Sequence, residues 1–124
     1  KVLRIFAAAL RVVVVQMMVK VIEPGGTGTR AAVANYHVAG KTGTAKKAIS
    51  GGYADDRYQS VFAGIIPASA PRLAMVVMID EPQGEYYGGA VAAPVFAEVM
   101  AGAMRLLNIA PDDLPMTQMQ VAHK

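Results

Sequence analysis

The residues with the clearest capacity for chemistry stand together in VAGKTGTAKK, residues 38–47. Within this segment, the tetrapeptide Lys41–Thr44 offers a cation, two hydroxyl groups and a glycine in consecutive positions. Such a set suits either a loop that binds phosphate or a strand that binds the carboxylate of a peptide. The residues around the tetrapeptide distinguish these two kinds of site.

A phosphate-binding loop follows the pattern G-x-x-x-x-G-K-[ST] and leads directly into a helix, whose N-terminus meets the phosphates. NYHVAGKT supplies Gly40, Lys41 and Thr42, but Asn35 stands where the first glycine is required. The residues that follow, GTAKKAISGG, are too rich in glycine to open a helix. Both departures argue against a nucleotide site.

An extended strand would suit an enzyme that transfers the acyl group of a peptide with a free C-terminal carboxylate. Lys41 would supply a fixed cation for that carboxylate, and Thr42 and Thr44 would supply hydroxyl donors. A backbone N–H could stabilise the developing oxyanion, and Gly43 would let the substrate lie against the strand. Lys-Thr-Gly is a motif of β-lactamases and penicillin-binding proteins. The tripeptide alone is a weak signal, because a surface turn could also contain it.

The hydrophobic pattern predicts the elements that would position this strand. Apolar residues recur at helical spacing in two segments, so we expect helices over about residues 6–21 and 90–107, the first after a short extended start. Strands are expected over about residues 35–46, 58–66 and 72–80. The last two flank the proline-bounded turn PASAPR, which predicts an antiparallel pair.

The remaining segments are predicted to be connections. EPGGTGTR (residues 23–30) contains a proline and three glycines, so it is interpreted as a break after the first helix. AISGGYADD (residues 48–56) is interpreted as a turn or flexible loop, and residues 116–124 as a frayed tail. Sequential antiparallel strands flanked by helices indicate the α+β class, with the sheet covered on at least one face.

The composition narrows the possible functions. The 124 residues suffice for one domain or for part of a larger one. The net charge of +3 is scattered rather than gathered in a basic stripe, so no nucleic-acid partner is expected. Without cysteine the chain has no disulfide or thiolate ligand, and two histidines are too few for a histidine-based metal site without carboxylate help. The apolar stretch Ile5–Val19 falls short of the ~20 residues that cross a bilayer, so no anchor is expected within this chain.

Several long segments together resemble one known family. These are EPGGTGTRAAV, VAGKTGTAKK, VFAGIIPASAPRLAMVVMIDEP and YYGGAVAAPVFAEVMAGAMRLLNI. In order and spacing they resemble the C-terminal part of the transpeptidase domain of class B penicillin-binding proteins, and most of all the division-specific, penicillin-binding protein 3 type of Gram-negative bacteria. The resemblance covers about Met17 to Pro115, whereas the first sixteen residues match poorly.

The resemblance implies roles for residues of this chain. Lys41 would maintain the electrostatic field and hydrogen bonds around the nucleophile, and the Thr44 N–H would be one of two oxyanion donors. Thr42 and Thr44 would bind the carboxylate of the substrate or of a β-lactam, with Gly43 on the same substrate-binding strand. Three tyrosines match positions that border the pocket in relatives: Tyr58, Tyr86 and Tyr87. Ordinary packing at strand ends and in loops would explain these tyrosines equally well.

The family's nucleophile motif, Ser-x-x-Lys, does not occur in this chain. The three serines are followed three positions later by Tyr53, Ala63 and Arg72. The second motif, Ser-x-Asn, is absent as well. No serine therefore has a lysine base at the activating spacing, and the chain is expected to be a C-terminal piece that packs against the segment carrying the nucleophile.

The resemblance implies part of a serine D,D-transpeptidase that cross-links peptidoglycan during cell division through an acyl-enzyme and is acylated by β-lactam antibiotics. No metal or cofactor is implied. The partners implied are the nucleophile-bearing segment, the peptidoglycan stem peptide and division proteins. The implied location is the periplasmic domain of a bacterial inner-membrane protein. The alternatives are a β-lactamase or D,D-carboxypeptidase of the same fold and a non-catalytic penicillin-binding-like module; the long stretch from DEPQGEYYGG into the last helix favours the transpeptidase.

Overall fold

The computed structural model describes residues 2–115 and has the α+β architecture expected from the sequence. Three antiparallel strands form one sheet in the order β1-β2-β3. The helices and strands are α1 (Val2–Lys20), β1 (Ala39–Ile49), β2 (Gly52–Ile66), β3 (Leu73–Asp80), α2 (Gly88–Val91) and α3 (Ala93–Leu106), with a 3-10 turn at Thr29–Ala31. The frayed tail predicted for residues 116–124 lies outside the described residues.

Strands β1 and β2 form a long hairpin, so the turn or flexible loop predicted for residues 48–56 is a turn at residues 50–51 between two strands. Ala48 pairs with Tyr53 and Ile49 with Gly52, so both strands continue to the turn. At the turn, Gly51 has φ 90° and Gly52 φ 151°, where L side chains are rarely accommodated. The glycine pair therefore closes a hairpin and does not mark a flexible segment.

Three other element boundaries differ from the predicted ones. Strand β1 begins at Ala39 and not near residue 35, because Asn35 adopts φ 67° in a turn. Helix α1 begins at Val2, without the extended start that was expected. The last helix is two helices, because Pro94 lies in the first turn of α3, and a proline has no N–H with which to continue α2.

One face of the sheet packs on α3 and forms the core. Phe62 of β2 and Phe96 of α3 are fully buried and meet edge to face with ring centroids 4.9 Å apart. Ile66, Met100 and Met104 complete the centre of this cluster. Residues directly opposite each other on paired strands have their side chains on the same face of the sheet. The residue of β1 that is paired with Phe62 therefore also has its side chain on the α3 side.

The other face of the sheet is only partly covered. Met18 of α1 lies with Ala63, Ala74 and Val76 around a cavity of about 280 Å³. Beyond it, the side chains of Val76 and Met78 are 65% and 60% exposed. Much of α1 is also exposed although it is apolar, and the side chains concerned include Ile5, Phe6, Leu10, Val12, Val13 and Val14. We call this surface, formed by α1 and the outer side of β2 and β3, the open apolar face; contiguous exposed apolar patches typically mark interaction sites.

Within residues 2–115, the stretch Gly88–Leu106 is long and apolar enough to cross a membrane by length and composition alone. The core helices of soluble proteins can meet the same criterion. In this structure, Phe96, Met100 and Met104 from this stretch belong to the core.

Asp112 joins the segment after α3 to the start of β1 and to the turn before β3. Its carboxylate accepts hydrogen bonds from the His37 N–H (2.7 Å), the Ser69 N–H (3.3 Å) and the Ser69 hydroxyl (2.6 Å). Burial alone would raise the pKa of Asp112, but these hydrogen bonds favour the carboxylate and lower the pKa below its ordinary value. The charged form is therefore the stabilising one.

We expect Asp112→Ala to lower the free energy of unfolding by about 2–3 kcal/mol at neutral pH, because three donors lose their acceptor. Because the folded-state pKa of Asp112 lies below the unfolded one, this contribution is present above the ordinary value near 3.8 and is lost as the pH falls through the folded-state value. Urea denaturation at neutral pH and at about pH 3 measures both effects. Asp113→Ala is the control, since its side chain is 59% exposed. Equal losses in the free energy of unfolding for Asp112→Ala and Asp113→Ala would contradict the stabilising role of the Asp112 carboxylate.

Candidate active site

The tetrapeptide Lys41–Thr44 lies on β1, at the edge of the sheet. Its residues pair with Ser60–Ala63 of β2, and no other strand within residues 2–115 pairs with β1 on its free side. The segment is extended, and a strand, not a helix, follows it. A phosphate loop requires a helix at that point, so the geometry matches an edge strand that can receive an extended peptide.

Thr42 and Thr44 open into a cleft on the α3 side of the sheet. Thr42 is paired with the core residue Phe62, and Thr44 is paired with Ser60. The cleft has a volume of about 390 Å³. It is lined by Thr27, Thr29, Arg30, Thr42, Thr44, Tyr87, Gly88, Gly89 and Ala90. Five residues with a hydroxyl group and one arginine thus line the same space.

The cross-strand pair Thr44 and Ser60 holds the loop that leads into α2. The Ser60 hydroxyl, which is buried, donates to the Tyr86 carbonyl, and the Gly88 N–H donates to Thr44 Oγ1 at 3.1 Å. Because Thr44 Oγ1 accepts this bond, its own proton is available for a further acceptor in the cleft. The loop therefore orients the Thr44 hydroxyl as a donor.

Close backbone approach requires glycine at both positions of the Gly88-Gly89 pair. A Cβ on Gly88 would lie 2.3 Å from the Val61 carbonyl oxygen and 2.4 Å from that of Gly43. A Cβ on Gly89 would lie 2.0 Å from the Thr27 carbonyl oxygen. Thr27 in turn shares a hydrogen bond of 3.1 Å with the Thr42 hydroxyl.

Lys41 lies on the opposite face of β1 from the two threonines. It is paired with Ala63, whose side of the sheet is the open apolar face. The Lys41 ammonium reaches round the strand and donates to the Thr42 carbonyl at 2.9 Å, with Thr42 Oγ1 at 3.5 Å. The cation and the hydroxyls are thus accessible together from the free edge of β1, although only the hydroxyls line the cleft.

The structure brings the three predicted tyrosines together in a stack. Tyr58 and Tyr86 are nearly parallel, with ring centroids 4.1 Å apart, and Tyr86 contacts Tyr87 at 4.6 Å. The hydrogen bond between the Tyr86 and Tyr87 hydroxyls, followed by their electrostatic interaction, raises the pKa of Tyr87. Only Tyr87 lines the cleft, with 58% of its surface exposed, whereas Tyr58 lies behind Tyr86.

Several residues of the cleft were missed by the sequence interpretation. Thr27, Thr29 and Arg30 were interpreted as part of a helix break, and Gly88-Gly89 only as part of a segment that resembles the family, so none of them was assigned to the site. The alternation of glycine with threonine in GGTGTR and the glycine pair after two tyrosines were the available signals. Within residues 2–115, no group of three or more His, Asp or Glu side chains converges in a way that could hold a metal ion.

Comparison with known proteins identifies the family. Residues 3–101 match the family described as the penicillin binding protein transpeptidase domain. The chain is 50% identical over 112 residues to peptidoglycan D,D-transpeptidase FtsI of Escherichia coli K12, covering 90% of this chain and 19% of that protein. It is 47% identical over 109 residues to the probable peptidoglycan D,D-transpeptidase PenA of Neisseria gonorrhoeae, covering 87% of this chain and 19% of the relative.

A solved structure agrees with these sequence matches. The apo structure of the TP domain of Burkholderia pseudomallei penicillin-binding protein 3 superposes with a TM-score of 0.70 and 40% identity, over 81% of this chain and 30% of that one. The chain therefore belongs to the penicillin-binding protein transpeptidase family, and the resemblance to the penicillin-binding protein 3 type is confirmed. It spans about a fifth of the length of the curated relatives it matches.

Proposed function

We propose that this chain supplies one wall of the active site of a serine D,D-transpeptidase that cross-links peptidoglycan during cell division. The observation that carries the proposal is the position of the Lys41–Thr44 segment in a chain of this family. It lies on a free sheet edge, with hydroxyls in a cleft on one side and, from the other face of β1, a lysine whose ammonium reaches round to the same edge. These are the groups that acyl transfer from a peptide carboxylate terminus requires.

In the proposed reaction, a serine from another segment of the protein attacks the carbonyl carbon of the penultimate D-alanine of a stem peptide. The peptide bond breaks, the terminal D-alanine leaves with a proton on its nitrogen, and an acyl-enzyme remains. The amine of a second stem peptide then attacks the ester and releases the serine. Thr42 and Thr44 bind the terminal carboxylate, the Thr44 N–H stabilises the oxyanion, and Lys41 maintains the field at the serine. A β-lactam is attacked in the same way and stays attached.

The open apolar face supports the proposed partner, the segment that carries Ser-x-x-Lys. The Lys41 side chain starts from that face of the sheet and its ammonium reaches the free edge of β1, so a segment docked on the face and edge would bring its serine towards the ammonium. The exposed side chains of Val76, Met78 and α1 would be buried by the same contact. The protein would act in the periplasm as a domain of an inner-membrane protein, where peptidoglycan stem peptides and division proteins are its further partners.

Labelled penicillin tests the proposal. We expect the protein that contains both this chain and the nucleophile segment to take up one stable covalent label on a serine outside residues 1–124. The isolated chain should take up none, because none of its serines has a lysine base at the activating spacing. Mass spectrometry of the labelled peptide measures both results, with heat-denatured protein as the control for nonspecific acylation.

Each rival function gives a different result. Rapid hydrolysis of the label would indicate a β-lactamase, and release of D-alanine without transfer to an added amine would indicate a carboxypeptidase. A protein that remains unlabelled would be a non-catalytic module. A stable adduct on a serine of the isolated chain would contradict the division of the site between two segments.

A further inference from the structure

The cleft that holds the two predicted carboxylate-binding threonines also holds a cation to which the sequence interpretation gave no role. Arg30 lines this cleft together with Thr42 and Thr44, whereas Lys41 does not line it. None of the nine lining residues is acidic. A guanidinium among hydroxyl groups is the combination that recognises a carboxylate, because a planar fork of N–H donors matches two oxygens.

The backbone around Arg30 is held in place by the core. Arg30 belongs to the 3-10 turn Thr29–Ala31, and Ala31 is fully buried. The turn is closed by hydrogen bonds from the Ala31 N–H to the Gly28 carbonyl (2.9 Å) and from the Gly28 N–H to the Val21 carbonyl (2.9 Å). A side chain on a rigid turn loses less entropy on binding than one on a mobile loop.

The Arg30 side chain itself retains donors for a ligand. One guanidinium nitrogen, Nη1, donates to the Ala90 carbonyl at 3.2 Å, which directs the group along the start of α2. A guanidinium has five N–H donors. Among the residues that the structure describes, no carboxylate forms an ion pair with Arg30, whereas Lys46 and Arg57 each pair with one carboxylate and Lys47 pairs with two. The charge of Arg30 is thus available in the cleft.

We propose that Arg30 is a specificity-determining residue that binds the C-terminal carboxylate of the acyl donor, together with Thr42 and Thr44. This inference rests on the proposed function, since it names the group that selects the substrate of that same site. Arg30 would discriminate a donor that ends in a carboxylate from one that ends in a neutral group. Lys41 would then be left to act on the nucleophile, from the free edge of the strand.

The test uses a pair of D-alanyl thioesters and the protein that contains this chain together with the nucleophile segment. One thioester has a leaving group that ends in a carboxylate, and the other ends in the corresponding primary amide. Thiol release gives kcat/KM for each. We expect Arg30→Gln to lower kcat/KM for the carboxylate thioester about five- to tenfold, a modest loss because the site is open to solvent. The amide thioester should change less than about twofold, because it has no charge to recognise.

Two further variants make the result specific. Arg30→Lys keeps the charge and should recover part of the preference for the carboxylate. Arg105→Gln removes an arginine from the last turn of α3, which does not line the cleft, and should leave both thioesters unchanged. An equal loss on both thioesters would show that Arg30 only supports the fold, and no loss on either would show that it does not bind the carboxylate. If the unaltered protein turned over neither thioester and took up no penicillin, the proposed function itself would be overturned.

Discussion

Lys41→Ala lowers the rate of acylation by labelled penicillin at least tenfold in the protein that contains both this chain and the nucleophile segment. The reason is electrostatic, because Lys41 is the cation on the face of β1 that the nucleophile segment is proposed to cover. Removing a group that stabilises charge developing during acylation typically costs at least this much in rate. The acylation rate constant at several penicillin concentrations measures the loss.

Lys46→Ala is the matched control for this prediction. Lys46 lies on the same strand, is also a lysine, and pairs at 3.2 Å with Asp55, whose side chain is fully exposed. Its replacement should change the acylation rate by less than about twofold. Both variants should unfold within about 0.5 kcal/mol of the unaltered protein, since neither side chain is buried. Acylation of Lys41→Ala at a near-normal rate would remove Lys41 from the mechanism.

The second large effect is expected for Gly88→Ala. The added methyl group would lie 2.3–2.4 Å from two carbonyl oxygens, which belong to the rigid backbone of β1 and β2. The loop before α2 must therefore move away, and the Gly88 N–H would lose its hydrogen bond to Thr44 Oγ1. We expect a loss of about 1–3 kcal/mol in the free energy of unfolding and a fall of at least about tenfold in the acylation rate, because the Thr44 hydroxyl is no longer oriented.

Gly102→Ala provides the comparison, because a Cβ at that position of α3 meets no atom within 4 Å. Alanine in a helix is more favourable than glycine by about 0.5–1 kcal/mol, so this variant should be slightly more stable and normally acylated. Urea denaturation and penicillin labelling measure both variants. If close packing at Gly88 causes the losses, Gly88→Ala should be less stable and acylated more slowly, whereas Gly102→Ala should show neither loss. A Gly88→Ala protein with normal stability and normal acylation would show that neither the fold nor acylation depends on the close approach of the loop before α2 to β1 and β2.

The elements that were predicted well are those in which one face is buried, because burial of one face gives a regular spacing of apolar residues in the sequence. The two apolar runs on either side of PASAPR became β2 and β3, because the same face of each strand is buried against α3. The distal part of the hairpin was missed because it extends beyond the core. There, Tyr53, Asp55 and Asp56 are exposed, so they carry no apolar alternation to indicate a strand.

Only part of the candidate site could be predicted from the sequence, for a related reason. The tetrapeptide is a local motif, so its residue types and their extended conformation could be read directly from four neighbouring positions. The groups that face it come from far along the chain: Gly88 is 44 residues from Thr44, and Arg30 is 60 residues from the carbonyl of Ala90 that orients it. Nothing in GGTGTR or YYGG taken separately indicates that these segments meet.

The order of the amino acids established the α+β class, the family, and the cation and hydroxyls carried by one short strand, because these depend on local periodicity and on short motifs. Tertiary structure alone decided which face of β1 packs on the α3 side and that Arg30, not Lys41, lines the cleft with Thr42 and Thr44. The physical reason is that a cleft is made by packing distant segments against one core. Its lining depends on the close approach of Gly88 and Gly89 to the backbone beside β1, which only the folded chain brings about.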